Sequence, residues 1–127
     1  MKRILLVDDD QYIRELYEEV LSDAGYTVET ATDGEDALIK LHQGGYDLVL
    51  LDIVMPKRDG LSVLDALRSN PPKQPNGPIL LLTNLGQEEV IKDAISKGVT
   101  SFLIKAEMTP DQLLAHVRRY LGIPPSS

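Results

Sequence analysis

Five polar side chains in this chain each follow directly on a short apolar run. Asp8 and Asp9 come after Ile4-Leu5-Leu6-Val7, Asp52 after Leu48-Val49-Leu50-Leu51, Thr83 after Ile79-Leu80-Leu81-Leu82, and Lys105 after Phe102-Leu103-Ile104. Apolar runs of this length, bounded by turn residues, read as strands buried on both faces of a parallel sheet. In open α/β sheets ligands bind in the crevice beyond the carboxyl ends of the strands, so these side chains are expected to converge there. Three carboxylates packed together repel one another and raise each other's pKa values, so the cluster calls for a divalent cation. Oxygen donors without His or Cys favour magnesium, which takes one or two carboxylates, waters and a phosphate oxygen. The Thr83 hydroxyl and the Lys105 ammonium complete a phosphate cradle. One of the carboxylates is then placed as a nucleophile, and phosphoryl transfer onto it needs mainly in-line positioning and neutralised charge.

A strand-end aspartate taken alone is more simply a cap or turn former. Asp10 suits that role before the next helix, which leaves Asp8 and Asp9 as a surplus that capping does not use.

The elements that must position these groups alternate along the chain. Ile13, Leu16, Val20 and Ala24 recur at helical spacing from Gln11 to Ala24, and Gly25 stops that helix. Thr27 to Ala31 alternates and is rich in β-branched residues, as a strand nearer the sheet edge would be. Asp33 caps a second helix with Ala37, Leu38 and Leu41 on its apolar side, ended by Gly44-Gly45. Leu61, Leu64 and Leu67 mark a third helix after Gly60. The stretch from Pro71 to Pro78 cannot continue a helix or pair in a central strand, and reads as a tolerated loop insertion opposite the site. Val90, Ile91, Ala94 and Ile95 form the stripe of a fourth helix before Gly98. Thr109, Pro110 and Gln112 supply a cap, a first-turn proline and a capping-box partner for a fifth, which uses Leu113, Leu114, Val117 and Leu121. The expected fold is α/β: a doubly wound five-stranded parallel sheet with five helices on both faces, joined by right-handed crossovers.

Composition narrows the rest. The 127 residues make one domain, residues 1–122, with 123–127 a C-terminal tail or the stub of a linker. There is no cysteine, which excludes disulfides and thiolate chemistry. No stretch is long and apolar enough for a signal peptide or membrane span, so no membrane insertion and a cytoplasmic location are expected. A formal charge of −7 opposes phosphate backbones, so nucleic acid is not expected as a direct partner. His42 and His116 lie in helices without metal-ligand spacing and read as surface histidines.

Val7-Asp8-Asp9, Leu51-Asp52 with Met55-Pro56 and Asp59-Gly60, Leu82-Thr83, and Phe102 three residues before Lys105 together resemble the CheY-like receiver domains of two-component response regulators. The resemblance spans the whole chain and implies the flavodoxin-like strand order 2-1-3-4-5. It implies that Asp52 is the phosphoacceptor and that Asp8, Asp9, Asp52 and the backbone carbonyl of Val54 hold Mg2+. It implies further that Thr83 and Lys105 grip the phosphoryl oxygens, and that Thr83 and Phe102 form a switch. The switch reshapes the face of helix 4, strand 5 and helix 5 toward a downstream protein target. Phe102 as a permanent core aromatic is the plainer alternative. The implied donor is a histidine kinase or a histidine phosphotransfer protein. Such a domain promotes only its own phosphorylation and dephosphorylation, and is a signalling switch more than an enzyme.

Ala106 stands where the family usually has proline, so a trans bond and a slightly displaced loop are expected after Lys105. Asn84 stands where the family prefers a small residue. Val54 and Leu85 occupy the positions that in this family flank the hydrolytic water's approach. Both are apolar, so Val54, Asn84 and Leu85 are the rate-modulating candidates, and slow self-dephosphorylation is expected. Two alternatives are a receiver-like binding module that is never phosphorylated and a haloacid-dehalogenase-type phosphohydrolase. The phosphohydrolase lacks its second acid here, because Val54 stands in that place.

Overall fold

In the computed structural model, residues 2–55, 57–84 and 88–121 are described, with Ala106 described in its backbone alone. Five parallel strands stand in the order β2-β1-β3-β4-β5. They are β1 (Arg3–Val7), β2 (Thr27–Ala31), β3 (Leu48–Asp52), β4 (Ile79–Thr83) and β5 (Ser101–Ile104). Between and after them run α1 (Gln11–Asp23), α2 (Gly34–Gln43), α3 (Gly60–Ser69), α4 (Glu88–Ser96) and α5 (Pro110–Leu121). The order and the edge position of β2 are those expected.

The period-two alternation of the strands divides the core into two layers. Leu5, Val7, Val49, Leu51 and Leu81 face α2, α3 and α4 through Ala37, Leu41, Val63, Leu64, Ile91 and Ala94. Ile4, Leu6, Leu48, Leu50, Leu80 and Leu82 face α1 and α5 through Tyr17, Leu21, Leu113 and Val117. Each such leucine, wholly withdrawn from water, contributes on the order of 2 kcal/mol. Apolar side chains on both faces of the same strand are what commit it to a covered parallel sheet.

The helix caps follow the sequence. Asp10 Oδ1 accepts from the Ile13 N–H at 3.2 Å and Asp33 Oδ1 from the Asp36 N–H at 2.9 Å. Thr109 and Gln112 form the reciprocal capping box at 2.9 and 3.2 Å. Asp59 caps α3 in the same way, its Oδ1 accepting from the Ser62 N–H at 2.8 Å.

Several readings need correction. In α1 the deepest residues are Tyr17 and Leu21, with Ile13, Leu16 and Val20 flanking them, so the buried stripe runs one position later than its aliphatic residues suggest. Ile95 is 49% exposed and lies outside the α4 stripe. β5 ends at Ile104, and Lys105 opens a 3-10 turn, Lys105–Glu107. No cis peptide bond occurs among the described residues, in keeping with alanine after Lys105.

The 71–78 loop is not a loose insertion. Asn76 Nδ2 donates to the Leu41 carbonyl at 3.1 Å, its Oδ1 accepts from the Tyr46 N–H at 3.3 Å, and the Gly77 N–H donates to the Tyr46 carbonyl at 2.7 Å. Gly44, at φ 76°, lets Gln74 come so near that a Cβ would sit 1.8 Å from its carbonyl oxygen. The loop straps the α2–β3 connection. The histidines are half-buried, and His42 Nε2 is enclosed without a hydrogen-bond partner among the described residues.

Candidate functional site

Strand register assembles the site. Val7 pairs with Leu51, so Asp8 and Asp52 emerge side by side from β1 and β3. Asp52 pairs with Leu82 and Thr83 with Ile104, which brings the hydroxyl at the end of β4 and the ammonium after β5 to the same edge. This is the carboxyl end of a sheet whose order reverses at β1 and β3, where open α/β folds bind ligands.

Asp8 and Asp52 are buried, at 0% and 4% exposure, while Asp9 is open to solvent. Ligand oxygens of Asp8, Asp9 and Asp52 lie within 4.8 Å of one another. Lys105 Nζ donates to Asp8 Oδ2 and to Asp52 Oδ2, at 3.3 Å each. Asp8 Oδ1 also accepts from the Asp10 N–H at 2.9 Å. The site thus holds three carboxylates against one ammonium. Burial, partly opposed by Lys105 and aided by the charges of Asp8 and Asp9, pushes the Asp52 carboxyl up to about 7. For Lys105, burial works downward, but the charges of Asp52 and Asp8 outweigh it and hold the ammonium above its ordinary value.

An all-oxygen set of this span, two acids buried and one facing water, fits a hard divalent cation that keeps part of its hydration shell. Asp10, Ile13, Asn84 and Lys105 line a cavity of about 250 Å³ beside it. The Thr83 hydroxyl is 2% exposed and donates to the Asn84 carbonyl at 3.3 Å. Val54, two residues beyond Asp52, is 61% exposed. Leu85 lies outside the described residues, as does Pro56.

Phe102 is 40% exposed and borders, with Ile104, Met108 and His116, a groove of about 290 Å³ between β5 and α5. It is therefore not a core aromatic in this state. Three residues near the site went unnoticed in the sequence. Arg14 Nη1 donates to the Asp8 carbonyl at 2.9 Å. Lys57 and Gly34 hold the segment after β3, as described below. Arg14 lies one helical turn after the Asp10 cap, which is the local signal that could have pointed to it.

A doubly wound sheet with an acidic pocket and a lysine at its carboxyl edge defines a class of α/β domains with a polar, all-oxygen site beyond the strand ends. Within that class this chain belongs to the response regulator receiver domain family, whose profile it matches over residues 4–118. It is 40% identical over 116 residues to the transcriptional regulatory protein DltR of Streptococcus agalactiae, covering 91% of this chain and 50% of that protein. It is 39% identical over 120 residues to the probable transcriptional regulator ycf27 of Guillardia theta, covering 94% and 45%. The chain thus spans about half the length of these relatives.

Among solved structures, chemotaxis protein CheY4 of Vibrio cholerae is 34% identical with a TM-score of 0.80, covering 94% of this chain and 98% of that one. Response regulator TrrA of Thermotoga maritima, solved in complex with Mg(2+)-BeF, is 38% identical with a TM-score of 0.78, covering 94% and 99%. The chain is a receiver domain of two-component response regulators, a signalling domain. The phosphohydrolase alternative finds no support in these relatives. The expected absence of a nucleic-acid partner finds none either, since the longer relatives are named as transcriptional regulators. Among the described residues no helix is long and apolar enough to cross a membrane.

Proposed function

We propose that Asp52 accepts a phosphoryl group from a phosphohistidine of a histidine kinase or histidine phosphotransfer protein, with Mg2+ held by Asp8, Asp9, Asp52 and the Val54 carbonyl. The observation that carries this reading is the bridge of Lys105 between the buried Asp8 and Asp52, 3.3 Å from each, inside an acidic cluster 4.8 Å across. Mg2+, when bound, supplies positive charge against the phosphoryl oxygens.

An Asp52 oxygen forms the new O–P bond as the N–P bond of the donor breaks. The imidazole nitrogen keeps that bond's electron pair and takes up a proton. Attack requires the ionised carboxylate, yet burial and the charges of Asp8 and Asp9 push the Asp52 carboxyl up to about 7 even with Lys105 beside it. Lys105 opposes that by its charge, and then grips a phosphoryl oxygen together with the Thr83 hydroxyl. For Thr83 this means leaving the Asn84 carbonyl.

Phe102, 40% exposed, stands in the outward position from which it would turn inward as Thr83 moves. That turn would alter the α4, β5 and α5 face presented to a downstream protein target. By the family resemblance Val54 and Leu85 flank the approach of the hydrolytic water, and with Asn84 they set how long the phosphoryl group persists. The reaction is that of a cytoplasmic receiver, which keeps its partners on the same side of the membrane as the kinase.

Mass spectrometry after incubation with acetyl phosphate and Mg2+ tests the reading. The natural chain gains one phosphoryl mass and Asp52→Ala gains none. No gain by the natural chain would favour a receiver-like module that is never phosphorylated, and a gain by the variant would move the acceptor elsewhere.

A further inference from the structure

The segment between β3 and α3 carries Val54, whose carbonyl the proposed function gives to the metal, so the inference rests on that reading. The ends of the segment are tied together. The Gly60 N–H donates to the Ile53 carbonyl at 2.7 Å, and a Cβ on Gly60 would lie 2.7 Å from the Asp52 carbonyl oxygen. Its middle turns at Lys57, whose φ of 67° is a left-handed conformation that a long side chain adopts reluctantly.

What holds the turn comes from α2. Lys57 Nζ lies 3.5 Å from Asp33 Oδ2. Gly34, the first residue of α2, approaches Arg58 so closely that a Cβ would sit 1.8 Å from its carbonyl oxygen. Asp33 is itself immobilised, with its side chain 16% exposed and its other oxygen accepting from the Asp36 N–H at 2.9 Å. One carboxylate thus caps α2 with one oxygen and holds the site loop with the other.

We propose that Asp33 and Lys57 are positioning residues for divalent-cation binding, their ion pair fixing the loop that carries the Val54 carbonyl. A ligand held in place beforehand spares the cation the entropy of ordering it. Neither side chain belongs to the acidic cluster of Asp8, Asp9 and Asp52, so both would act through the loop. Their charges are opposite, and that separates positioning from the long-range field. Loss of the Asp33 charge would weaken cation binding through the field, and loss of the Lys57 charge would strengthen it. Loss of positioning weakens binding in both cases.

The test is calorimetric titration of Mg2+ into the unphosphorylated chain, for the natural sequence, Asp33→Asn, Lys57→Gln and the double variant. Asparagine keeps the α2 cap. Each single variant is expected to weaken Mg2+ binding by about 3-fold, the scale of a surface ion pair, and the double variant no more than either single. Opposite shifts in the two singles, unchanged affinity in both, or losses that multiply in the double would each overturn the proposal. A natural chain that binds no Mg2+ would instead sink the functional reading on which it stands.

Discussion

The two ends of the sheet carry polar clusters of similar size and opposite condition. At the amino end, Arg3 Nη2 pairs with Glu29 Oε2 at 2.6 Å, and the Tyr46 hydroxyl donates to Glu29 Oε1 at 3.0 Å. The Arg3 guanidinium lies 4.6 Å over the Tyr46 ring, and its backbone N–H donates to Asp47 Oδ2 at 2.7 Å. Every charge there has a partner, and the Arg3 hydrogen bond holds the Glu29 carboxyl below its ordinary range. At the carboxyl end, Asp8, Asp9 and Asp52 crowd together, Lys105 pairs with Asp8 and Asp52 alone, and the Asp52 carboxyl is pushed up to about 7, chiefly by burial. The first cluster ties β1, β2 and β3 together at rest. The second is a strained arrangement of charge that a cation would relieve, and the fold tolerates that strain where it is useful.

The comparison breaks most completely at Asp52, the proposed acceptor. Asp52→Ala is expected to abolish phosphorylation by acetyl phosphate, while thermal unfolding above pH 7 without Mg2+ stays at or above the natural chain's midpoint, because repulsion with Asp8 and Asp9 is relieved. A lower midpoint would mean that Asp52 is a net stabiliser, and that the two ends do not differ as described. Lys105→Ala cuts the other way. It leaves two buried carboxylates without their cation and should destabilise the chain by about 3 kcal/mol at pH 8 without Mg2+. Phosphorylation should survive, with less change in partner affinity between the two forms. An undiminished affinity ratio would remove Lys105 from the coupling.

The two ends were also unequally legible. Asp8, Asp52 and Thr83 could be picked out because each interrupts an apolar run abruptly, and a parallel sheet of five such runs leaves few places for the interruptions to go. Asp10, Asp33 and Thr109 were legible as caps, since capping depends on residues three apart. The amino-end cluster left no such mark. Arg3, Glu29 and Tyr46 meet only through strand pairing. Asn76 and Gly77 reach Tyr46 across 30 residues or so of chain, so a Pro-rich stretch read as a tolerated insertion is in fact a strap. The left-handed Lys57 was hidden for a different reason, because lysine is not a residue that signals positive φ. Phe102 needed its surroundings, since a phenylalanine in a strand is as ready to be core as surface.

The open face of the site gives a further, kinetic contrast. Val54 is 61% exposed and cannot accept a hydrogen bond from an attacking water. Val54→Asn combined with Leu85→Glu is expected to speed loss of the phosphoryl group several-fold with Mg2+ present, by placing polar groups where that water must be oriented. Equal or slower decay in the double variant would show that these two positions only cover the site.

Titration then sets the ends against each other by sign. Asp52 in the folded chain, near 7, lies above its ordinary 3.8, so the native state holds that proton between about 4 and 7 while the unfolded chain releases it. Its contribution is full below the lower value and is lost as pH rises through the upper one. The natural chain without Mg2+ should therefore lose stability relative to Asp52→Asn across that window, and Mg2+ should remove the difference. A difference that is flat with pH would contradict the raised pKa.

Glu29 has the reverse sign and the smallest effect. Its folded pKa lies below the ordinary 4.5, so its contribution is present above that value and is lost as pH falls through the folded one. Glu29→Gln keeps the shape and can still bond Arg3 and Tyr46, but without charge. Because both partners of the ion pair are 40% exposed, solvent screening holds the loss to about 1 kcal/mol, or about 4 °C in the midpoint at pH 7. The loss should shrink in high salt and fade as pH falls through the lowered folded value, where the natural side chain is itself protonated. Phosphorylation should proceed at the natural rate, since no part of this cluster reaches the carboxyl end of the strands. Removing one negative charge would thus stabilise the chain at one end of the sheet and destabilise it at the other. A Glu29→Gln chain as stable as the natural one at pH 7 would mean that the amino-end cluster is no better satisfied than the site.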